Sequence, residues 1–228
     1  SSKILGYSSI NASVCPVHTG EFLQELFYDG KMYNDPILGG YLAWAIHRNV
    51  LLDTLSIRVP EIEEIAAIRK SPERFLEFAR RLDITLAVIA HGIAQNKSLL
   101  EWFATQPSWQ MIYCDHITVI FLKITAKSAT LLEKYRCEDG KVSNLPIKSA
   151  PVYYLRALAL LRLSFLESAQ KDWQQGIVLL PNCFERYYIA GQLMILKGNL
   201  PQAIQDFEKA LSYQPGNQEI ISLLIQNS

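Results

Sequence analysis

The chain has 228 residues, with 22 Lys plus Arg against 22 Asp plus Glu, and half of it is apolar. That length suits one large domain or two small ones, and the balanced charge excludes a basic nucleic-acid footprint and a polybasic membrane anchor. The longest apolar stretches, such as the one at 84–90, fall far short of the roughly 20 residues a membrane-spanning helix needs. The first ten residues carry no initiator Met and no apolar signal core, so the sequence reads as a fragment whose natural N-terminal part is missing. Cys15, Cys114, Cys137 and Cys183 form no CxxC and match no zinc spacing. They read as free, mostly buried thiols, with one disulfide left open should the compartment be oxidising.

In chain order, 21–31 spaces Phe22, Leu23, Leu26 and Phe27 as a helix and ends on Asp-Gly. A short strand follows in "KMYND", then a turn at Asn34-Asp35-Pro36. Residues 39–46 read as a short helix or strand, and 49–53 as a buried strand ending in Asp53. Residues 62–83 are helical with a break at Ser71-Pro72, where Pro can open a new helix. The apolar run "ITLAVIA" at 84–90 has the look of a central strand. A helix at 97–107, two strands at 109–124 with a turn at Asp115-His116, and a helix at 127–137 complete this part. Helices alternating with strands predict a small α/β sandwich with a partly parallel sheet that ends in a hairpin.

Phosphate-cradling glycine loops, HExxH, GxSxG and dinucleotide fingerprints are all missing. Asp53 and His91 each close a strand, and ligands of open α/β sheets bind outside such strand ends. They are the ligand candidates, against a plainer reading as caps and turn hydrogen bonds. Cys114 and His116 share a strand face but make only two ligands, so no metal and no cofactor is predicted.

Beyond the linker "EDGKVSNLPIKSAP" a period of 34 appears: Pro181 and Pro215, Trp173 and Phe207, Ala169 and Ala203, Ala157 and Gly191, Tyr153 and Tyr187. Small residues at 157, 169, 191 and 203 let paired helices approach. Trp173 and Phe207 supply the bulk between them, and each Pro ends a second helix. The predicted helices are 151–163, 166–179, 184–197 and 200–213, with a terminal capping helix at 217–226. This pattern resembles the tetratricopeptide repeat (TPR) over about 149–217. Tyr187, Gly191, Ala203, Phe207, Ala210 and Pro215 fall on signature positions, whereas Arg156, Gly176, Ala190 and Met194 depart from them. Two repeats are fewer than the three a free-standing array needs, so they lean on another part of the chain or continue past Ser228. The resemblance implies a protein or peptide partner in the groove lined by Tyr154, Leu158, Arg162, Tyr188, Gln192 and Ile195. The Lys and Asn of the family's carboxylate clamp are missing from it. The competing reading has Tyr154 and Tyr188 packing on neighbouring helices.

The succession "GKMYNDPILGGYLAW", "RNVLLD", "ITLAVIAHG" and "WQMIYCDHITVIFLK" is similar to a second family over roughly 15–124. That family is the extracytoplasmic soluble region of bacterial polytopic membrane glycosyltransferases using lipid-phosphate sugar donors. Thr54 and Leu55 stand where such proteins often carry Gly-Arg. The reacting carboxylate of that family lies between membrane helices, outside this sequence. The domains expected are therefore 1–126 (α/β), 127–148 (connecting helix and linker) and 149–228 (TPR-like repeats with a terminal helix). The expected function is that of a non-catalytic, extracytoplasmic region of a bacterial membrane protein, with the repeats making protein contacts. The rivals are an accessory domain binding an acceptor or sugar lipid, and a cytosolic TPR adaptor.

Overall fold

The computed structural model describes residues 15–47, 50–51, 59–143, 145 and 148–227. Contacts divide the chain into two compact units, Ser1–Cys137 and Glu138–Ser228. The boundary comes straight after the helix that sequence patterning assigned to a 127–148 connector.

In the first unit the order is α1 (Val17–Leu26), β1 (Lys31–Asn34), α2 (Pro36–Ile46), α3 (Val59–Lys70), α4 (Arg74–Leu82), β2 (Ile84–Ala90), α5 (Lys97–Ala104), β3 (Trp109–Cys114), β4 (Thr118–Lys123) and α6 (Ala129–Tyr135). The sheet runs β1-β2-β4-β3. β1 and β2 are parallel, and the other two pairs are antiparallel. β2 is central and covered on both sides, which explains a continuous apolar run in place of the polar-apolar alternation of a one-sided strand. Leu86, Val88 and Ala90 share a cluster with Leu23 and Leu26 of α1 and Leu38 and Leu42 of α2, and Leu131, Leu132 and Tyr135 of α6 pack on it. That apolar face is what holds α6 in the first unit. On the opposite side an aromatic core forms, with the Phe75 ring edge-on to Tyr33 at 5.3 Å and to Phe103 at 5.0 Å, and Phe103 stacked on Phe121 at 4.5 Å.

Three local outcomes refine the sequence reading. α1 begins at Val17, earlier than predicted, and ends with Phe27 in the left-handed region at φ 47°. The stretch left between helix and strand is helical from Pro36, with Pro at the first position. Of the strand predicted at 49–53, Val50 and Leu51 are described and neither is in a strand, and Asp53 lies outside the described residues.

The second unit consists of α7 (Ala150–Arg162), α8 (Leu166–Leu179), α9 (Phe184–Leu196), α10 (Leu200–Tyr213) and α11 (Gln218–Asn227). These match the helices read from the 34-residue period to within one residue at each end. Both hairpin turns place a left-handed residue at the same repeat position, Ser164 at φ 62° and Gly198 at φ 72°. In the second hairpin Phe207 is the knob. A Cβ on Gly191 would sit 2.5 Å from its ring, so the helix approach there depends on glycine. In the first hairpin the expected knob, Trp173, is only half-buried, and its Nε1 donates to the Arg186 carbonyl at 2.9 Å. Tyr154 takes its place from the other helix, its ring 2.5 Å from where a Gly176 Cβ would be. Arg156 is buried too, paired through two bonds of 2.6 and 2.7 Å to Asp172, and its third donor reaches the Ser143 carbonyl.

α8 lacks a side-chain cap of its own, since Phe165 occupies that position. Asp139 supplies one from the preceding segment, accepting from the amides of Glu167 at 3.0 Å and Ser168 at 2.9 Å. Gly140, at φ 78°, then donates to Ser168 Oγ at 2.8 Å. The linker is thereby bound onto the first hairpin, and this is why the second unit begins at Glu138 and not at 149.

Candidate functional site

The carboxyl ends of β1 and β2 lie side by side, the geometry in which α/β folds place ligands. Asp35, just past β1, is fully buried there. Its Oδ1 accepts from Arg69 Nη2 at 2.6 Å, and its Oδ2 accepts from the Ala90 amide at 2.8 Å and Asn96 Nδ2 at 2.6 Å. Asn96 also donates to the Ala90 carbonyl at 2.8 Å. Burial pushes the Asp35 carboxyl up, opposed by the Ala90 amide, Arg69 and Asn96. With both oxygens engaged, this carboxylate joins β1, β2, α3 and the turn before α5. It acts as a clasp, with no lone pair directed at an open space.

His91, one of the two ligand candidates, is likewise buried, and its Nε2 lies 3.0 Å from the Asp115 carbonyl. A carbonyl only accepts, so Nε2 carries the proton. The Asp115 side chain closes the β3–β4 turn, Oδ1 accepting from the amides of Ile117 at 2.8 Å and Thr118 at 2.7 Å. Its Oδ2 accepts from Tyr113 at 3.0 Å and Thr19 at 3.1 Å. Burial, then the Asp115 charge, pushes the Tyr113 hydroxyl up, so it stays a donor. His91 thus belongs to the hydrogen-bonded closure of a hairpin. Asp53, its expected companion, falls outside the described residues. Among the described residues no three His, Cys, Asp or Glu side chains are grouped as a metal site would require, and the four cysteines are free.

Asp35 is the buried polar residue that sequence reasoning passed over, reading "NDP" as a turn. The available signal was a carboxylate straight after a strand and before a helix-opening proline.

On the repeats, the six expected groove residues separate into two groups. Tyr154 is 1% exposed, and its hydroxyl donates to the Leu180 carbonyl at 2.7 Å. Tyr188 is 6% exposed, stacked on Phe184 with centroids 5.4 Å apart, and its hydroxyl receives Gln192 Nε2 at 3.1 Å. Both rings are spent on packing between helices. Leu158, Arg162, Gln192 and Ile195 stay half-buried and border solvent.

The fold and the 34-residue register define a chain with a small α/β unit followed by TPR-like helical hairpins. Among solved structures, the second TPR domain of the human RPAP3 protein, determined by NMR in complex with the HSP70 peptide SGPTIEEVD, is similar to part of it. The identity is 31%, the match covers 35% of this chain and 67% of that one, and the TM-score is 0.32. No protein-family model and no curated protein matches the sequence.

Proposed function

We propose that this chain is a non-catalytic region whose TPR-like unit binds a protein or peptide partner, and that a bacterial membrane protein carries it outside the cytoplasm. The observation that carries the binding role is the pair of hairpins in one register. They leave Leu158, Arg162, Gln192 and Ile195 half-buried on the first helices while the tyrosines beside them are fully used inside. A row of apolar and hydrogen-bonding groups on rigid helices suits an extended peptide, because the protein side loses little entropy on binding. The extracytoplasmic placement rests on the sequence resemblance over 15–124. The α/β unit supports the non-catalytic reading, since Asp35, His91 and Asp115 all serve to hold strand ends and turns.

A peptide array probed with the purified chain tests the binding role. One class of peptide should be retained and titrate to saturation. Since Leu158 and Ile195 also pack on the Phe207 cluster, the test uses the polar groove residues: Arg162→Ala and Gln192→Ala should each weaken that binding at least fivefold with unchanged circular dichroism. Absence of saturable binding, or unaltered binding by the folded variants, would overturn the proposal.

A further inference from the structure

The first unit contains a cavity of about 650 Å³, within the ~300–1,000 Å³ range of small-molecule sites. Its inner wall is apolar: Leu23 from α1, Met32 from β1 and Leu86 from β2. Leu23 and Leu86 are themselves members of the core cluster, so the cavity reaches the sheet. The entrance differs in chemistry, with Lys31 and Asp29 both exposed there. Phe27 also lines it, with 90% of its surface exposed and a left-handed backbone that aromatic residues rarely adopt. An aromatic side chain so exposed at the entrance of an apolar hollow offers surface that a bound apolar group would cover.

We propose that this cavity holds the hydrocarbon chain of a single-chain amphiphile, with the polar head at the entrance between Lys31 and Asp29. The gradient from an apolar wall to a charged rim matches such a molecule end to end. Lys31 and Asp29 offset each other at the rim, and with the exposed imidazole of His47 beside them no single charge dominates, so the chain selects the ligand more than the charge of the head does. The site lies wholly in the first unit and is independent of the role proposed for the repeats.

The test is calorimetric titration of the whole chain with octanol, nonanol, decanol and decanoate. Affinity should rise about fourfold for each added methylene, the factor expected for burying one CH₂, and decanoate should bind within about threefold of decanol. Leu51, which lines the cavity and is 39% exposed, tolerates a charge without loss of the core. Leu51→Glu should weaken every ligand at least tenfold while the melting curve stays in place. Met32→Trp fills the inner wall and should abolish the dependence on chain length. If that variant does not fold, Leu51→Glu decides alone. Sedimentation with phosphatidylcholine vesicles containing lysophosphatidylcholine, a lipid with one acyl chain, separates the two sources of such a chain. Pelleting lost in Leu51→Glu assigns it to a membrane lipid, and its absence beside alkanol binding assigns it to a free amphiphile. No saturable binding, affinity independent of chain length, or wild-type binding by folded Leu51→Glu would overturn the proposal.

Discussion

The contact between Phe207 and Gly191 makes the sharpest test of the repeat packing. Phe207 is 1% exposed and shares a cluster with Tyr188, Ala203, Ala210 and Ile220. Phe207→Ala should cost about 3–5 kcal/mol, from lost burial plus the cavity left behind, a large share of the ~5–15 kcal/mol that holds a domain folded. Gly191→Ala is the more telling change because two effects oppose each other. Alanine in a helix interior gains up to about 1 kcal/mol over glycine. The new methyl, however, would stand 2.5, 2.7 and 2.8 Å from three ring carbons of Phe207, and overpacking of this kind costs about 1–3 kcal/mol. A ring this buried has little room to retreat, so Gly191→Ala should destabilise the native chain by about 1 kcal/mol net. With Phe207 already replaced by Ala, the clash is gone and the same change should stabilise by about 1 kcal/mol. The sign therefore reverses, with a coupling of about 2 kcal/mol, well above the ~0.5 kcal/mol scatter of independent sites. Native-state hydrogen exchange at the amides of α9 and α10 reads this within the second unit. Additive effects, or a stabilising Gly191→Ala in the native background, would refute the packing argument.

Asp139→Ala should destabilise the second unit by about 0.5–2 kcal/mol, the usual loss for an N-cap, measured by urea unfolding. Desolvation pushes the Asp139 carboxyl up, but the amides of Glu167 and Ser168 outweigh it and hold the group below its ordinary value. Its stabilisation is therefore full above the unfolded value near ~3.9 and is lost as pH falls through the folded value. Asp139→Asn should keep part of the cap and remove that acid-range slope. In the first unit, Asp35→Ala should cost about 3 kcal/mol, because it strands the partners of a buried ion pair. Asp35→Asn should cost less, as it keeps an acceptor for the Ala90 amide; equal melting temperatures for the two variants would count against the clasp.

What the sequence made legible divides by the distance over which each signal acts. The β2 run, the helix break at Ser71-Pro72 and the β3–β4 turn depend on neighbouring residues, and all three stand in the structure where patterning put them, although Pro72 does not open the new helix, which starts at Arg74 behind Glu73. α2 was ambiguous for a physical reason: no polar residue interrupts Pro36–Ile46, so it has no polar face to reveal a period. Its outward side even exposes Ile37 at 66% and Trp44 at 46%. The Asp35 clasp was invisible because its partners lie 34, 55 and 61 residues away, and no local spacing encodes them.

The departures from the repeat signature carry the further lesson. Arg156 and Gly176 looked like blemishes in the first repeat. Arg156 is neutralised by Asp172, 16 residues on, across the hairpin, and Gly176 is the notch that receives the ring of Tyr154. A charge on α7 is answered by a charge on α8, and a bulky ring on α7 by a missing side chain on α8. The signature therefore constrains the summed volume and charge between two paired helices, not each position alone. A deviation on one helix should be judged only after its complement has been sought on the other, and here both complements are present.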